Sequence, residues 1–199
     1  MSRDNKLDVL GIFQEHGAIK EGHFKLPSGL HGSTYVQTAV ILQYPNLTFK
    51  IAQAMSRKFP APVDVVVSAA MGAIVLGQEI ARQRKCRSIF FERMGGAMGL
   101  HRHFRLERGE RVLVVEDILT RGRSTSEVVA LSAVYGARIV GVAAIVDRSN
   151  SKLPLKIPVR ALLTLPAEAV PPDHCGACAR GVPLVRPEDD RTLGRGDAG

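Results

Sequence analysis

Two carboxylates, Glu116 and Asp117, stand side by side at the end of the apolar run Val112–Val115. The segment that follows them, Ile118 to Thr125, carries two arginines, a single glycine and the hydroxyls of Thr120, Ser124 and Thr125. If a helix begins there, its first N–H groups lack partners and its dipole favours an anion. Gly122 allows a tight turn and a close approach of backbone to ligand. An anion cradle beside paired acceptors suits a phosphorylated sugar, with amides and hydroxyls for the phosphate and carboxylates for the ribose hydroxyls. Equally, such a stretch could be a surface turn closed by a Ser/Thr helix cap. Two other phosphate loops are excluded: no G-x-x-x-x-G-K-[ST] occurs, and no G-x-G-x-x-G follows a strand.

The elements around this stretch alternate. VDVVVSAA (63–70) reads as a buried strand, 71–85 as a helix and CRSIFF (86–91) as a strand. RVLVV (111–115) reads as the next strand, 126–135 as a helix stopped by Gly136, and 137–147 as another strand. That alternation predicts an α/β fold with a parallel sheet flanked by crossover helices. Residues 92–110 are glycine-rich, basic and without apolar period, and are expected to form a mobile loop or a hairpin. The first 50 residues read as a helix, LDVLGIFQEHGA, and a short β segment.

The chain has 199 residues, enough for one domain with a sizeable core. Its formal charge of +8 favours anionic partners. The basic residues are dispersed and aromatics make up only 5% with no Trp, which weighs against nucleic acid. No apolar run approaches the ~20 residues that span a bilayer, and MSRDNKLDVLG does not read as a secretory signal. Three cysteines suit a reducing cytoplasm better than a disulfide scaffold.

VLVVEDILTRGRS (112–124) resembles the phosphoribosyl-diphosphate (PRPP) signature of type I phosphoribosyltransferases. Five further segments narrow the resemblance to the orotate phosphoribosyltransferases: 22–45, 63–82, 90–104, AAIVDR (143–148) and VPPDHCGACARGVPLV (170–185). The resemblance implies a type I phosphoribosyltransferase-like sheet over 1–187, with 1–50 as a small base-binding hood and 188–199 as a flexible tail. It implies an enzyme that joins orotate to PRPP, giving orotidine 5′-phosphate and diphosphate. Glu116 and Asp117 would hold the ribose hydroxyls, with Ile118 and Leu119 in the same PRPP segment. Thr120, Arg121, Gly122, Arg123, Ser124 and Thr125 would hold the 5′-phosphate. Ser68, Ala69, Ala70, Met71 and Gly72 fall on the diphosphate loop. Thr120, Arg148 and Tyr35 would meet the orotate. Catalysis would fall to Asp117 with Arg93, Arg102 and His103 of a flexible loop, which in the family covers the neighbouring site of a homodimer. Mg²⁺ would be held mainly by PRPP, with no protein ligand set.

This sequence departs from the family pattern inside the expected site. The diphosphate loop commonly reads Gly-Pro-Ala-x-Gly-Gly, and here Ser68 and Ala73 bring Cβ atoms expected to crowd it. Arg121 and Arg123 stand in the phosphate loop, and residues 87–151 contain no lysine, so that His101 or His103 would replace a loop cation. These departures leave two alternatives, a regulatory PRPP-binding paralogue and a phosphoribosyltransferase for another base. Cys175 and Cys178 with His174 fall one ligand short of a structural zinc set, and a packed thiol pair is expected. His16, His23 and His31 show no ligand spacing and are expected at the surface or in turns.

Overall fold

Val65–Ala69 (β3) is buried at every position, as a strand covered on both faces must be. In the computed structural model, which describes residues 7–26, 28–150 and 153–189, it lies inside a six-stranded sheet of order β5-β4-β3-β6-β7-β8. The other strands are Arg87–Met94 (β4), Ala97–Leu100 (β5), Arg111–Leu119 (β6), Arg138–Asp147 (β7) and Val159–Thr164 (β8). All pairs are parallel except β4–β5.

Strand alternation sends side chains to two cores. Val66, Leu113, Val115, Ala143 and Ile145 pack with Val9–Glu15 (α1), Ala39–Leu42 (α2), Pro45–Arg57 (α3) and Ile74–Arg84 (α4). Val65, Val67, Val112, Val114, Val142 and Ala144 pack with Val128 of Arg123–Val134 (α5). The α/β fold expected from the sequence is therefore present.

A second sheet of order β1-β2-β9 forms from Ile19–Lys25 (β1), His31–Val36 (β2) and Ala169–Val170 (β9). The C-terminal segment continues along it: Lys25 N–H donates to Val185 O at 2.9 Å, and Val185 N–H donates to His23 O at 2.8 Å. A short helix, Gly176–Ala179 (α6), lies between these contacts.

Some boundaries differ from expectation. α5 begins three residues before 126, because αL Gly122 turns the chain directly into it. Residues 87–100 form a hairpin, with β4 running on to Met94 and reversing through Gly95 and Gly96, both at positive φ. α3 and β8 had no counterpart in the sequence reading. Of the expected tail, 190–199 lies outside the described residues.

At Gly141 in β7 a Cβ would overlap the Phe59 ring and lie 2.7 Å from Pro158 O. Gly141→Ala should therefore destabilise the fold by about 1–3 kcal/mol. Urea unfolding should show a lower midpoint at unchanged slope, and an unaltered midpoint would contradict this packing.

Candidate active site

β6 runs through the middle of the sheet and turns polar only at its carboxyl end, where ligands of open α/β sheets bind. Successive strand residues point to opposite faces, so the two adjacent acids part company. Glu116 turns toward α5, where Thr125 Oγ1 donates to its Oε1 at 2.9 Å. Asp117 turns toward the hood side, where Thr38 Oγ1 donates to its Oδ2 at 2.5 Å. Thr38 directly precedes α2, so this bond ties the segment leaving the hood to the central strand.

Glu116 is only 7% exposed. Burial pushes its carboxyl up to about 7; the Thr125 hydrogen bond opposes this and the nearby Asp117 adds to it. Near neutral pH Glu116 can thus both donate and accept, which suits a sugar hydroxyl.

Beyond Glu116 lies a cavity of about 350 Å³, lined also by Ile118 and Thr120 through Thr125. Gly122, at φ +67°, starts α5, and the first helical N–H to bond back is that of Ser126, to Gly122 O at 2.8 Å. The N–H groups of residues 123–125 precede it and have no helical acceptor. Thr120, Arg121, Arg123 and Ser124 are exposed at the rim, and Thr125 is buried. Leu119 differs from its expected companions: it is fully buried in the α5-side core and does not line the cavity.

The segment expected to bind diphosphate, residues 68–72, corrects one expectation. Ser68 and Ala73 do not crowd it, because both side chains are buried, Ala73 in the helix-side core and Ser68 against Gly77 of α4. Ala70 and Gly72 stay on the open side, and Met71 is 82% exposed. A Cβ at Gly72 would overlap the Asp117 carboxylate, so the loop and Asp117 close on each other.

Arg148 follows β7, and its N–H donates to Leu119 O at 2.7 Å, beside Thr120. It is 8% exposed, and burial lowers its guanidinium from the ordinary value. Its side chain donates to Thr34 O at 3.1 Å and Leu165 O at 3.3 Å, but among the described residues it has no carboxylate partner. A buried cation so placed invites an anionic ligand. Tyr35 lies in β2 with its ring 5.9 Å from that of Phe24.

Arg93, Arg102 and His103 do not line the cavity. Arg93 bonds Gly96 O and the carboxylate of Glu127 on α5. Arg102 makes a bidentate pair with Glu92 at 2.8 and 3.0 Å. His103 is exposed. Thr38 and Glu127 were missed from sequence; a hydroxyl before a helix reads as an ordinary capping feature, and an acid inside a helix as ordinary surface charge. His23 and His31 overturn a further expectation. Both are buried in contact with Cys175 and Cys178, while exposed His174 pairs with Asp173.

Comparison with known proteins decides the family. A phosphoribosyl transferase domain model matches residues 38–174. The orotate phosphoribosyltransferase of Caldicellulosiruptor saccharolyticus is 46% identical over 184 residues, covering 92% of this chain and 96% of the relative. The chain belongs to the orotate phosphoribosyltransferase family. Its fold is also that of the orotate phosphoribosyltransferase from Aeropyrum pernix, at TM-score 0.68 and 18% identity over 79% of this chain and 93% of that one. An adenine phosphoribosyltransferase from Rhodothermus marinus shares it nearly as well, at TM-score 0.65 and 20% identity over 79% and 98%. The fold of the orotate phosphoribosyltransferase family therefore does not by itself select the base.

The raised Glu116 carboxyl has a consequence for stability. Its folded value of about 7 exceeds the unfolded value of 4.5, so its stabilising contribution is complete below 4.5 and lost as pH rises through 7. The loss should approach about 3 kcal/mol at alkaline pH, at ~1.36 kcal/mol per unit. Glu116→Gln keeps an acceptor for Thr125 without titrating. Denaturation of the unliganded protein from pH 4 to 9 should show that difference between wild type and variant; parallel curves would contradict it.

Proposed function

We propose that this protein transfers the phosphoribosyl group of PRPP to orotate, forming orotidine 5′-phosphate and releasing diphosphate. The observation that carries this reading is the cavity at the start of α5, with Glu116 in its wall and the carboxylate-free Arg148 close by. The orotate named in its curated relative is itself a carboxylate, and Arg148 offers the charge that one needs. This favours orotate over an uncharged base and over a regulatory paralogue.

In this reading the 5′-phosphate sits on the N–H groups of 123–125 and the hydroxyls of Thr120, Ser124 and Thr125. Glu116 and Asp117 take the ribose hydroxyls from opposite sides. The C1–oxygen bond to diphosphate breaks, a C1–nitrogen bond to orotate forms, and the nitrogen gives up its proton. Positive charge grows on the sugar and negative charge on the leaving group, so fixed dipoles and cations matter most at the diphosphate end. Arg93 and Arg102 are the loop cations available once released from Glu127 and Glu92. The resemblance supports a homodimer in which the hairpin serves the neighbouring site, and a cytoplasmic setting; no helix among the described residues is long and apolar enough to cross a membrane.

Mg²⁺ belongs to the same proposal. It prefers a carboxylate or two plus substrate oxygens. Asp117, facing Gly72 of the diphosphate loop, fits that pattern without a full protein cage. When bound, the ion would neutralise diphosphate charge.

Asp117→Asn should weaken PRPP binding roughly ten-fold, a loss of ~1.4 kcal/mol, with little change in unfolding midpoint. Calorimetric titration checks this, and an unchanged dissociation constant removes Asp117 from the site. Arg148→Ala should raise the KM for orotate roughly 10–100-fold, as expected for a lost charged hydrogen bond. A spectrophotometric assay of orotate consumption reads this out; an unaltered KM would place the base elsewhere.

A further inference from the structure

His23 and His31 come from the two strands of the hood hairpin, and Cys175 and Cys178 from the turn of α6. More than 140 residues of chain separate the two pairs, yet one ligand atom from each residue lies within 4.8 Å of all the others. His23 Nε2 lies 3.1 Å from His31 Nδ1. Cys175 Sγ is 3.3 Å and Cys178 Sγ 3.6 Å from His23 Nε2, and Cys178 Sγ is 3.3 Å from His31 Nδ1. A tetrahedral ion bound at ~2.0 Å to nitrogen and ~2.3 Å to sulfur sets its ligands ~3.3–3.8 Å apart. The four side chains already form the corners of such a tetrahedron.

Proton placement points the same way. His23 Nδ1 lies 2.8 Å from the carbonyl oxygen of Val182, which can only accept. A neutral imidazole has one N–H, and here it is used at Nδ1, so Nε2 presents a lone pair to the cluster. A ring fixed by its second nitrogen on a backbone carbonyl is the usual support of a metal-binding histidine. Cys175 Sγ accepts N–H bonds from Cys178 and Ala177, which hold the sulfur in place beside the two imidazoles. Two thiolates balance a divalent cation, and a thiolate–imidazole set selects zinc.

We propose that His23, His31, Cys175 and Cys178 form a structural zinc site that fastens the C-terminal segment to the hood. Four protein ligands close the coordination shell, so the ion has no open position for chemistry. Its effect on the active site is indirect. The hood strand β2 carries Tyr35, and Thr34 O receives the Arg148 guanidinium. A loosened hood would therefore disturb orotate binding more than the 5′-phosphate cradle, which lies on β6 and α5.

The test uses the full chain, purified without chelator. Elemental analysis should find about one zinc per chain. Cys175→Ser/Cys178→Ser and His31→Ala should lose it, and His174→Ala should keep it. Cobalt exchange into the wild-type protein should give the visible bands of a tetrahedral site and a thiolate-to-cobalt charge-transfer band, a readout independent of any variant's folding and of turnover. Zinc removal should lower the melting temperature and raise the orotate KM more than the PRPP dissociation constant. The proposal is overturned by protein that neither retains zinc nor takes up added zinc or cobalt. Zinc retained by the double serine variant, or a Cys175–Cys178 disulfide found by mass spectrometry in freshly purified protein, would overturn it as well.

Discussion

Covering β3, β6 and β7 on both faces constrains everything else in the molecule. With α3 and α4 on one side and α5 on the other, no polar side chain can be placed in the middle of these strands without losing its hydration. Val112 through Val115 are fully buried. Chemistry is confined to the carboxyl end of the strands, where the helices no longer cover them. There strict alternation, which builds two cores further down β6, serves another purpose. It gives consecutive acids different neighbours, a helix N-terminus for Glu116 and the hood side for Asp117. One carboxyl is mostly neutral below pH 7 because it is buried, while the other accepts a hydrogen bond from the Thr38 hydroxyl.

The same constraint explains what Ser68 and Ala73 do at the turn from β3 to α4. Ser68 is the penultimate residue of β3, and Ala73 immediately precedes α4. Both side chains point inward, where small residues are needed for α4 to approach the sheet. Ser68 faces Gly77 across that contact. Packing, rather than ligand contact, sets what these two positions accept, and the loop keeps its glycine at the place where Asp117 approaches.

The sheet was legible because its strands are short, β-branched runs separated by helical periods, and the lining of the cavity at the start of α5 because glycine, hydroxyls and acids occur in one local stretch. β8 was not legible. VRALLT reads as neither a continuous apolar run nor a strict alternation, and its burial is only partial. α3 begins at a proline and its polar face dilutes the apolar period, so it was passed over. The histidine–cysteine cluster was hidden for a different reason. Its spacing in the chain carries no ligand pattern, and the halves meet only through folding, by the pairing of β2 with β9 and of β1 with the segment near Val185. His174 is next to Cys175 in sequence, yet it lies on the outer side of the turn, exposed and paired with Asp173. Inward-facing positions on a distant hairpin supplied the imidazoles instead.

The third strand of the hood sheet comes from residues 169–170, and the opposite edge of that sheet, β1, is bonded to residue 185. During synthesis on a ribosome, the hood hairpin of residues 19–36 emerges long before residues 169–185, which complete its sheet. Domains usually mature from the amino terminus as they are made. Here the small sheet is finished after the central sheet that carries Glu116 and Asp117, so a nascent chain would present the cavity at the start of α5 before the small sheet is complete. The C-terminal segment is thus the keystone of an arch whose first stones are laid at residue 19.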